Sequence, residues 1–344
     1  MNNKNLLELG LNEGYIKEAS IYNENLYIGR ISVQYKDIYK VFTEAGEVFA
    51  RVSGKLSYSS NSILDYPVVG DWVLLDRADN KNGDAIIHKV LSRKSYFSRK
   101  IAGSRFDTQV VAANIDFTFI CMALNNDFNI NRLERYISVA WDSMAIPVIV
   151  LTKSDLCEDI DERLREVEEV AVGIEILVTS SLNGNGYEKV KEYIKSGITI
   201  AFIGSSGVGK STLINKLLNR EVLKTNSVDE NDKGRHTTTH RELFLLEDGG
   251  VIIDTPGMRE LGLMSADVDK SFSNIEELER QCKFSDCTHR NEPKCAVKEA
   301  IENGDLDIER LERYRKLKRE EEYNLLKSKQ QKKQRIKNMI KSKR

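Results

Sequence analysis

The chain has 344 residues, of which 40% are hydrophobic, and its 52 Lys and Arg against 53 Asp and Glu give a formal net charge of −1 at pH 7. This length predicts two or three domains, with enough apolar content to fill their cores. The sequence has no apolar run of the roughly 18 residues that a membrane helix needs and no signal-peptide profile at its N-terminus, so we expect a cytoplasmic protein with no membrane partner.

Short alternating runs with Asn, Gly and Asp between them fill the first hundred residues. About five or six strands so close together predict a small β-barrel of the OB type, a fold that often binds RNA through basic and aromatic side chains. We therefore predict an OB-fold RNA-binding domain over residues 1–100. The alternative for any one of the candidate contacts is an ordinary solvated strand face. The candidates are Arg30, Tyr35, Lys36, Tyr39, Lys40 and Arg51. Near the exit of this domain, a basic patch or a linker is formed by Arg93-Lys94 and Arg99-Lys100.

Two polar segments follow the next apolar strands. Residues 146–151 lead into Thr152-Lys153-Ser154-Asp155, and residues 174–178 lead into Thr179-Ser180-Ser181. Ligands bind at the carboxyl ends of strands in open α/β sheets, and a carboxylate there can accept from both N1–H and the exocyclic amine of guanine. The first segment resembles the N/T-K-x-D element of GTPases, with the Lys153 stem over the base. The second is similar to their backbone-contacting guanine loop.

A phosphate-binding loop lies further along the chain, between a predicted strand at residues 198–203 and a predicted helix. Gly204, Gly209, Lys210 and Ser211 fill the fixed places of the pattern G-x-x-x-x-G-K-[ST]. Lys210 is predicted to reach the β- and γ-phosphates and Ser211 to ligate Mg²⁺, while the helix N-terminus and the loop N–H groups hold the phosphates. The other loop residues predicted to contact nucleotide are Ser205, Ser206, Gly207, Val208 and Thr212.

Two further segments complete a nucleotide switch. Asp254 ends an apolar strand in Asp254-Thr-Pro-Gly257, where the Asp would hold Mg²⁺ through water and the Gly257 N–H would sense the γ-phosphate. Between this segment and the phosphate loop, a hydroxyl among Thr237–Thr239, of which we favour Thr238, can close on the Mg²⁺. Since the guanine segments precede the phosphate loop, we predict a circularly permuted α/β P-loop GTPase domain over residues 101–268.

The pattern Cys282-x4-Cys287-x-His289-x5-Cys295 follows in a segment rich in turn residues. Three cysteines and one histidine are typical of a closed, structural Zn²⁺ site with a folding role. We predict one Zn²⁺ in a mostly helical zinc-binding domain over residues 269–344. Its last part, residues 323–344, has nine Lys or Arg and no acidic residue, which indicates either an RNA-binding arm or a solvated helix extension.

Together these motifs resemble the circularly permuted, ribosome small-subunit-dependent GTPase A family of bacteria over nearly the whole chain. The resemblance implies a GTPase that binds the small (30S) ribosomal subunit and its 16S rRNA late in maturation and that the subunit stimulates. It also implies nucleotide contacts at Thr152, Lys153, Asp155 and 204–212, with zinc ligands at Cys282, Cys287, His289 and Cys295. We expect a monomer that cycles between GTP and GDP.

One departure from Ras-type GTPases carries a mechanistic expectation. Met258 follows Gly257, at the place where Ras-type enzymes have the glutamine that orients the attacking water. Intrinsic hydrolysis should therefore be slow. His236 in Gly234-Arg-His-Thr-Thr238, a segment similar to the family's G-x-H-T-T pattern, is our candidate for orienting the water.

Two other classes of protein stay open at this point. A P-loop ATPase or small-molecule kinase would require the segment Thr152–Asp155 to be coincidental. An RNA-binding scaffold with a vestigial nucleotide site would leave Lys210, Ser211 and Asp254 without a purpose.

Overall fold

The computed structural model describes residues 6–22, 25–60, 63–100, 108–223, 242–247, 249–254 and 272–319. They form an N-terminal barrel, a central α/β unit and a C-terminal helical unit, as the sequence predicted. Within these ranges no helix combines the length and the apolar character that crossing a bilayer requires. The domain boundaries at residues 100 and 268 remain predictions.

Five strands close the N-terminal barrel. They pair in the order β1-β2-β3-β5-β4 and back to β1, with only β3 and β5 parallel among these pairs. Side chains alternate along β3, where Val48 and Ala50 face the core while Glu47, Phe49 and Arg51 face solvent. The elements are α1 (Glu13–Ser20), β1 (Tyr27–Gln34), β2 (Tyr39–Thr43), β3 (Gly46–Val52), α2 (Gly54–Ser59), β4 (Trp72–Leu75) and β5 (Ala85–Val90).

A hairpin of β6 (Tyr96–Lys100) and β7 (Thr108–Ala113) leads from the barrel into the central unit. The central sheet has the order β10-β9-β8-β11-β13-β12, parallel except for the β13–β12 pair. Its elements are β8 (Phe117–Ala123), α3 (Ile130–Asp142), β9 (Ile146–Thr152), α4 (Ile160–Val170), β10 (Glu175–Val178), α5 (Tyr187–Lys191), β11 (Thr199–Gly204), α6 (Lys210–Leu217), β12 (Glu242–Leu245) and β13 (Val251–Asp254).

The middle strands of this sheet are buried on both faces, which is why they read as continuous apolar runs. All six residues of β11 are buried. Parallel strands direct their carboxyl ends to one edge, so the segments that follow β9, β10, β11 and β13 meet there. The predicted nucleotide motifs follow or end these four strands.

Arg30 of β1 connects the barrel to the central unit. Its Nε donates to the Gly70 carbonyl (3.2 Å), and its Nη2 donates to the Asn114 carbonyl (3.2 Å) and the Thr199 hydroxyl (2.9 Å). Arg30 is 1% exposed, and burial lowers its pKa to about 10. Our expectation that Arg30 contacts RNA is therefore wrong. β1 also pairs with β12 at Val33 and Glu242, which makes one continuous sheet of the two units.

Two other basic or aromatic candidates of the barrel are also structural. Tyr39 is 5% exposed and faces the barrel core. Arg93 makes a two-point ion pair with the fully buried Asp71 (2.8 and 2.7 Å) and donates to the carbonyls of Leu64 and Tyr66. Its charge serves the barrel fold and not a basic surface patch.

The C-terminal unit contains α7 (Ser273–Gln281), α8 (Ala296–Asn303) and a further helix, α9, at residues 308–319. These helices pack around a small apolar core. Its larger fully or nearly fully buried members are Phe272, Ile275, Val297, Leu306, Leu311, Tyr314 and Leu317.

Candidate nucleotide site and metal cluster

The predicted phosphate loop lies between β11 and α6, as the pattern requires. Gly204 ends β11 with φ +142°, and a Cβ there would lie 2.4 Å from the Cys121 carbonyl oxygen of the neighbouring strand. Gly209 has φ +97° and caps the start of α6. Only glycine takes these conformations without strain, so both fixed glycines have a backbone reason.

Lys210 is the first residue of α6. Its ammonium donates to the carbonyl of Gly204 (2.8 Å) and to that of Ser205, which places the charge at the mouth of the loop. Ser211 and Thr212 follow in the first helical turn, half-buried and exposed respectively. The helix N-terminus adds the partial positive charge that favours phosphate there. In the loop itself, Ser205 and Val208 are buried, Ser206 is half-buried and Gly207 is exposed.

Thr152 ties the end of β9 to this loop. Its hydroxyl lies within hydrogen-bond reach of the Val208 carbonyl of the loop and of the Met122 carbonyl of β8 (3.3 Å). Thr152 is 3% exposed. Thr152 is one of the predicted nucleotide contacts, and in the structure its hydroxyl has a backbone partner in the loop.

Asp155 and Ser180 come together at the ends of adjacent strands β9 and β10. The Ser180 hydroxyl donates to Asp155 Oδ1 and accepts from the Asn183 N–H (3.2 Å). Ser154 N–H donates to the Thr179 carbonyl (3.2 Å), which joins the two segments a second time. Lys153 has φ +57°, a sharp turn that leaves Asp155 exposed. The carboxylate is thus held in place with its other edge open to a ligand.

Asp254 ends β13, in register with Phe202 of β11, so it lies on the strand next to the phosphate loop. The structure brings Thr152, Asp155, Ser180, Lys210 and Asp254 to one edge of the sheet. The other predicted switch residues lie outside the described residues: His236, Thr238, Gly257 and Met258.

Cys282, Cys287, His289 and Cys295 form one cluster in the C-terminal unit. Their ligand atoms all lie within 4.8 Å of one another, and His289 Nδ1 is 3.4 Å from Cys295 Sγ and 3.6 Å from Cys282 Sγ. This set of three sulfurs and one nitrogen could hold a metal ion, and it has the composition of a closed tetrahedral site. Desolvation, together with hydrogen bonds from the Cys287 thiol to the sulfurs of Cys295 and Cys282, raises the pKa of Cys287 to about 11. A cation would favour the opposite, thiolate state.

Hydrogen bonds around the cluster orient its histidine. His289 Nε2 lies 2.9 Å from Glu279 Oε1, and the Tyr314 hydroxyl donates to Glu279 Oε2 (3.0 Å). With Nε2 engaged by a carboxylate, Nδ1 is left to face the sulfurs. Metal-binding histidines are commonly held in this way. Glu279 could not be predicted from the sequence, because a Glu on an amphipathic helix has the same local pattern whether it is solvated or not.

Glu292 shapes the turn between His289 and Cys295. Its carboxylate accepts from the Thr288 N–H (2.9 Å) and hydroxyl (2.5 Å) and from the N–H groups of Arg290 (2.9 Å) and Asn291 (3.0 Å). These bonds, led by the Thr288 hydroxyl, lower the pKa of Glu292 to about 2. Glu292 therefore stabilises the conformation of this loop. Its neighbours in the sequence did not indicate this role.

Comparisons with known proteins agree with this geometry. A family model described as RsgA GTPase matches residues 90–264. A Lactiplantibacillus plantarum protein named small ribosomal subunit biogenesis GTPase RsgA 2 is 48% identical, over 98% of this chain and 95% of its own length. The crystal structure of YjeQ from Thermotoga maritima is similar with 29% identity and a TM-score of 0.66, over 86% of this chain and 98% of that one.

YloQ, described as a circularly permuted GTPase, shares the fold with a TM-score of 0.62 at 23% identity, over 88% of this chain and 96% of its own. This likeness bears on topology alone, and it agrees with the order in which the guanine segments precede the phosphate loop. The long match to RsgA proteins, at high identity and nearly full coverage, decides the family. The chain belongs to the RsgA GTPase family.

Proposed function

We propose that this protein hydrolyses GTP to GDP and phosphate and that it acts late in the biogenesis of the small ribosomal subunit. The observation that carries the proposal is the meeting, at one sheet edge, of a phosphate loop and a guanine-directed carboxylate. Thr152 joins the two, because it ends the strand before Asp155 and bonds to the loop at Val208. Adenine lacks the paired N1–H and exocyclic amine that Asp155 would accept from.

Lys210, Ser211 and Asp254 have the proposed roles of a Mg²⁺-dependent GTPase. Lys210 would move from the loop carbonyls to the β- and γ-phosphates, with backbone N–H groups of residues 204–212 around them. Ser211 and Asp254 would hold Mg²⁺, which neutralises phosphate charge when bound. Thr238 would close on the ion, and Gly257 would donate to the γ-phosphate. Lys153 and Ser154 complete the proposed base pocket, beside Ser180.

For hydrolysis we propose His236 as the residue that orients the water, because Met258 cannot do so. His236→Ala should abolish subunit-stimulated turnover while GTP affinity is retained, measured by single-turnover hydrolysis and by titration of fluorescent GTP. Parallel loss of affinity and turnover would rule out this role. His240→Ala, the same substitution in the same segment but outside Gly234–Thr239, serves as the control.

The proposed occupant of the Cys282–Cys295 cluster is one Zn²⁺. The donor set supports this, since three thiolates and one imidazole suit a borderline-soft ion in a closed site. Such a site leaves no open position for substrate, so its proposed role is to fold the C-terminal unit. The residues after Gly257 lead directly into this unit, and the nucleotide state would thereby reach it.

The names of the relatives support the small ribosomal subunit as the partner, and we propose its 16S rRNA as the contact. The experiment is GTP hydrolysis by the purified full chain, alone and with purified small or large subunits. Strong stimulation of GTP hydrolysis by small subunits, with none by large subunits, would support both the activity and the partner. Rapid GTP turnover without ribosomes, or equal stimulation by large subunits, would mean that the protein is a GTPase with a different partner. Turnover of ATP that GTP does not inhibit would overturn the proposed specificity for guanine.

A further inference from the structure

A row of direct contacts links the central unit to the Cys282–Cys295 cluster. It begins at Glu134 of α3, which is 2% exposed and whose Oε1 lies 3.0 Å from Nη1 of Arg310 in α9. The guanidinium carbon of Arg310 lies 5.0 Å from the centroid of the Phe272 ring, which is fully buried. That ring lies 5.4 Å, centroid to centroid, from the ring of Tyr314. The contacts therefore run without a gap from α3 into the core of the C-terminal unit.

The row ends on the imidazole of the cluster. The Tyr314 hydroxyl donates to Glu279 Oε2 (3.0 Å), and Glu279 Oε1 lies 2.9 Å from His289 Nε2. Arg315, the next residue of α9, donates from Nη2 to the carbonyls of Thr288 (3.1 Å) and His289 (2.9 Å). Helix α9 therefore holds both the side chain of this histidine and the backbone that carries it.

Both sets of contacts come from one helix. Arg310 and Tyr314 are four residues apart in α9, so they lie on the same face of the helix, and Phe272 contacts both. Arg313 of α9 adds a second ion pair to Glu134 (2.7 Å). Close-packed interiors transmit a displacement of one group to its neighbours. A shift of α9 at the ion pairs should therefore also move the groups that hold the cluster.

We propose that Glu134, a residue of the central unit, is a positioning residue for metal binding by the Cys282–Cys295 cluster. It acts by fixing α9, which in turn fixes Glu279 and His289 for coordination. The inference rests on the proposed Zn²⁺, because it concerns the affinity of the cluster for that ion. Linkage makes the effect reciprocal: the ion strengthens the docking of α9 on Glu134 by the factor by which Glu134 strengthens metal binding. The metal would thus hold the C-terminal unit against α3 as well as fold it.

The test measures the zinc affinity of the full-length protein by competition with a chromophoric chelator. Glu134→Ala should weaken zinc binding about 5- to 150-fold, the usual range of coupling between two sites, although it removes no ligand of the cluster. Glu166→Ala, which breaks the exposed pair with Arg163 (2.6 Å) in the same unit, is the matched control and should bind zinc like the parent. A GDP affinity equal to the parent's shows that the central unit of each variant is folded.

Co²⁺ in place of Zn²⁺ separates a positioning role from the loss of a ligand. The visible absorption of bound Co²⁺ depends on its donor atoms and their geometry. At saturating Co²⁺, Glu134→Ala should therefore give the absorption bands of the parent, whereas Cys295→Ser should shift them.

Tyr314→Phe tests the contacts inside the C-terminal unit. It keeps the ring beside Phe272 and removes the hydroxyl that binds Glu279, and such outer partners commonly change metal affinity about 10- to 100-fold. If the contacts act together, the double variant Glu134→Ala/Tyr314→Phe should lose less zinc affinity than the product of the two single losses. With Glu166→Ala in place of Glu134→Ala, the losses should multiply.

Equal zinc affinity of Glu134→Ala and the parent would overturn the inference and leave the proposed Zn²⁺ in place. Losses that multiply in Glu134→Ala/Tyr314→Phe would also overturn it. A parent that binds no zinc would overturn the proposed occupant of the cluster together with this inference. If Glu134→Ala does not fold, Arg310→Lys is measured instead, with a loss of zinc affinity again expected. It keeps the charge and loses the planar fork that contacts Glu134 and Asn274 (3.3 Å).

Discussion

Glu134 of α3 and Arg310 of α9 form a buried ion pair between the central and C-terminal units, with Oε1 and Nη1 3.0 Å apart. Arg313 Nε lies 2.7 Å from the other carboxylate oxygen, in a second ion pair. Two residues further along α3, the Tyr136 hydroxyl lies 3.5 Å from Ser205 Oγ of the phosphate loop. Residues two apart project about 200° from each other on a helix, so α3 contacts the loop on one side and the C-terminal unit on the other.

Glu134→Ala should destabilise the docking of the C-terminal unit by about 3–5 kcal/mol, because it leaves two arginines without their buried partner. The measurement is hydrogen exchange of residues 272–319 in the native state. Glu166→Ala, which breaks the exposed Arg163–Glu166 pair (2.6 Å), should cost about 0–1 kcal/mol. Similar losses of stability in both variants would show that the buried ion pair contributes no more than the exposed one.

Thr152→Val should weaken GDP binding about tenfold, because the Val208 carbonyl loses its partner at a cost of about 1–3 kcal/mol and the phosphate loop shifts. Titration with fluorescent GDP measures this. The control is Thr118→Val in β8, a fully buried hydroxyl with no hydrogen-bond partner among the described residues. Unchanged affinity in Thr152→Val would mean that the loop is held without Thr152.

Asp155→Asn should change the preferred base from guanine to xanthine. The amide offers a donor where the carboxylate accepted, so GTP affinity should fall by about 10²-fold or more while xanthosine triphosphate gains. Competition binding with both nucleotides reports the ratio. Asp159→Asn, an exposed N-cap of α4 at which either residue caps well, should leave the ratio unchanged. A uniform loss for both nucleotides would contradict a role of Asp155 in base recognition.

Removing the proposed Zn²⁺ should unfold the C-terminal unit and leave the nucleotide site intact. Residues 272–319 have a small core, and in zinc-finger peptides the ion supplies about 10–16 kcal/mol. Cys295→Ser or a strong chelator should therefore abolish exchange protection there, while GDP affinity changes less than about threefold. Cys157→Ser lies outside the cluster and should have neither effect. Full protection after chelation would show that the helices fold without a metal.

Local patterns predicted the parts of the site that local physics builds. The phosphate loop could be read because a strand, two glycines in special conformations and a helix start follow one another within a few residues. The three cysteines and one histidine of the cluster lie within fourteen consecutive residues, so a short loop suffices to gather them. Arg30, Tyr39 and Arg93 were misjudged because a basic or aromatic residue in a strand has the same neighbours in sequence whether it faces water or the interior.

The sequence by itself determined the order of the predicted nucleotide motifs, the set of three cysteines and one histidine and the three-part architecture, since each follows from spacing and periodicity along the chain. Only the tertiary structure decided which charged side chains are buried and which partners they contact. Arg30 reaches the Thr199 hydroxyl 169 positions away, and Glu134 meets Arg310 across 176 positions. Burying such charges is favourable only when distant segments bring their partners to hydrogen-bond distance, and that meeting is set by packing, which local patterns do not encode.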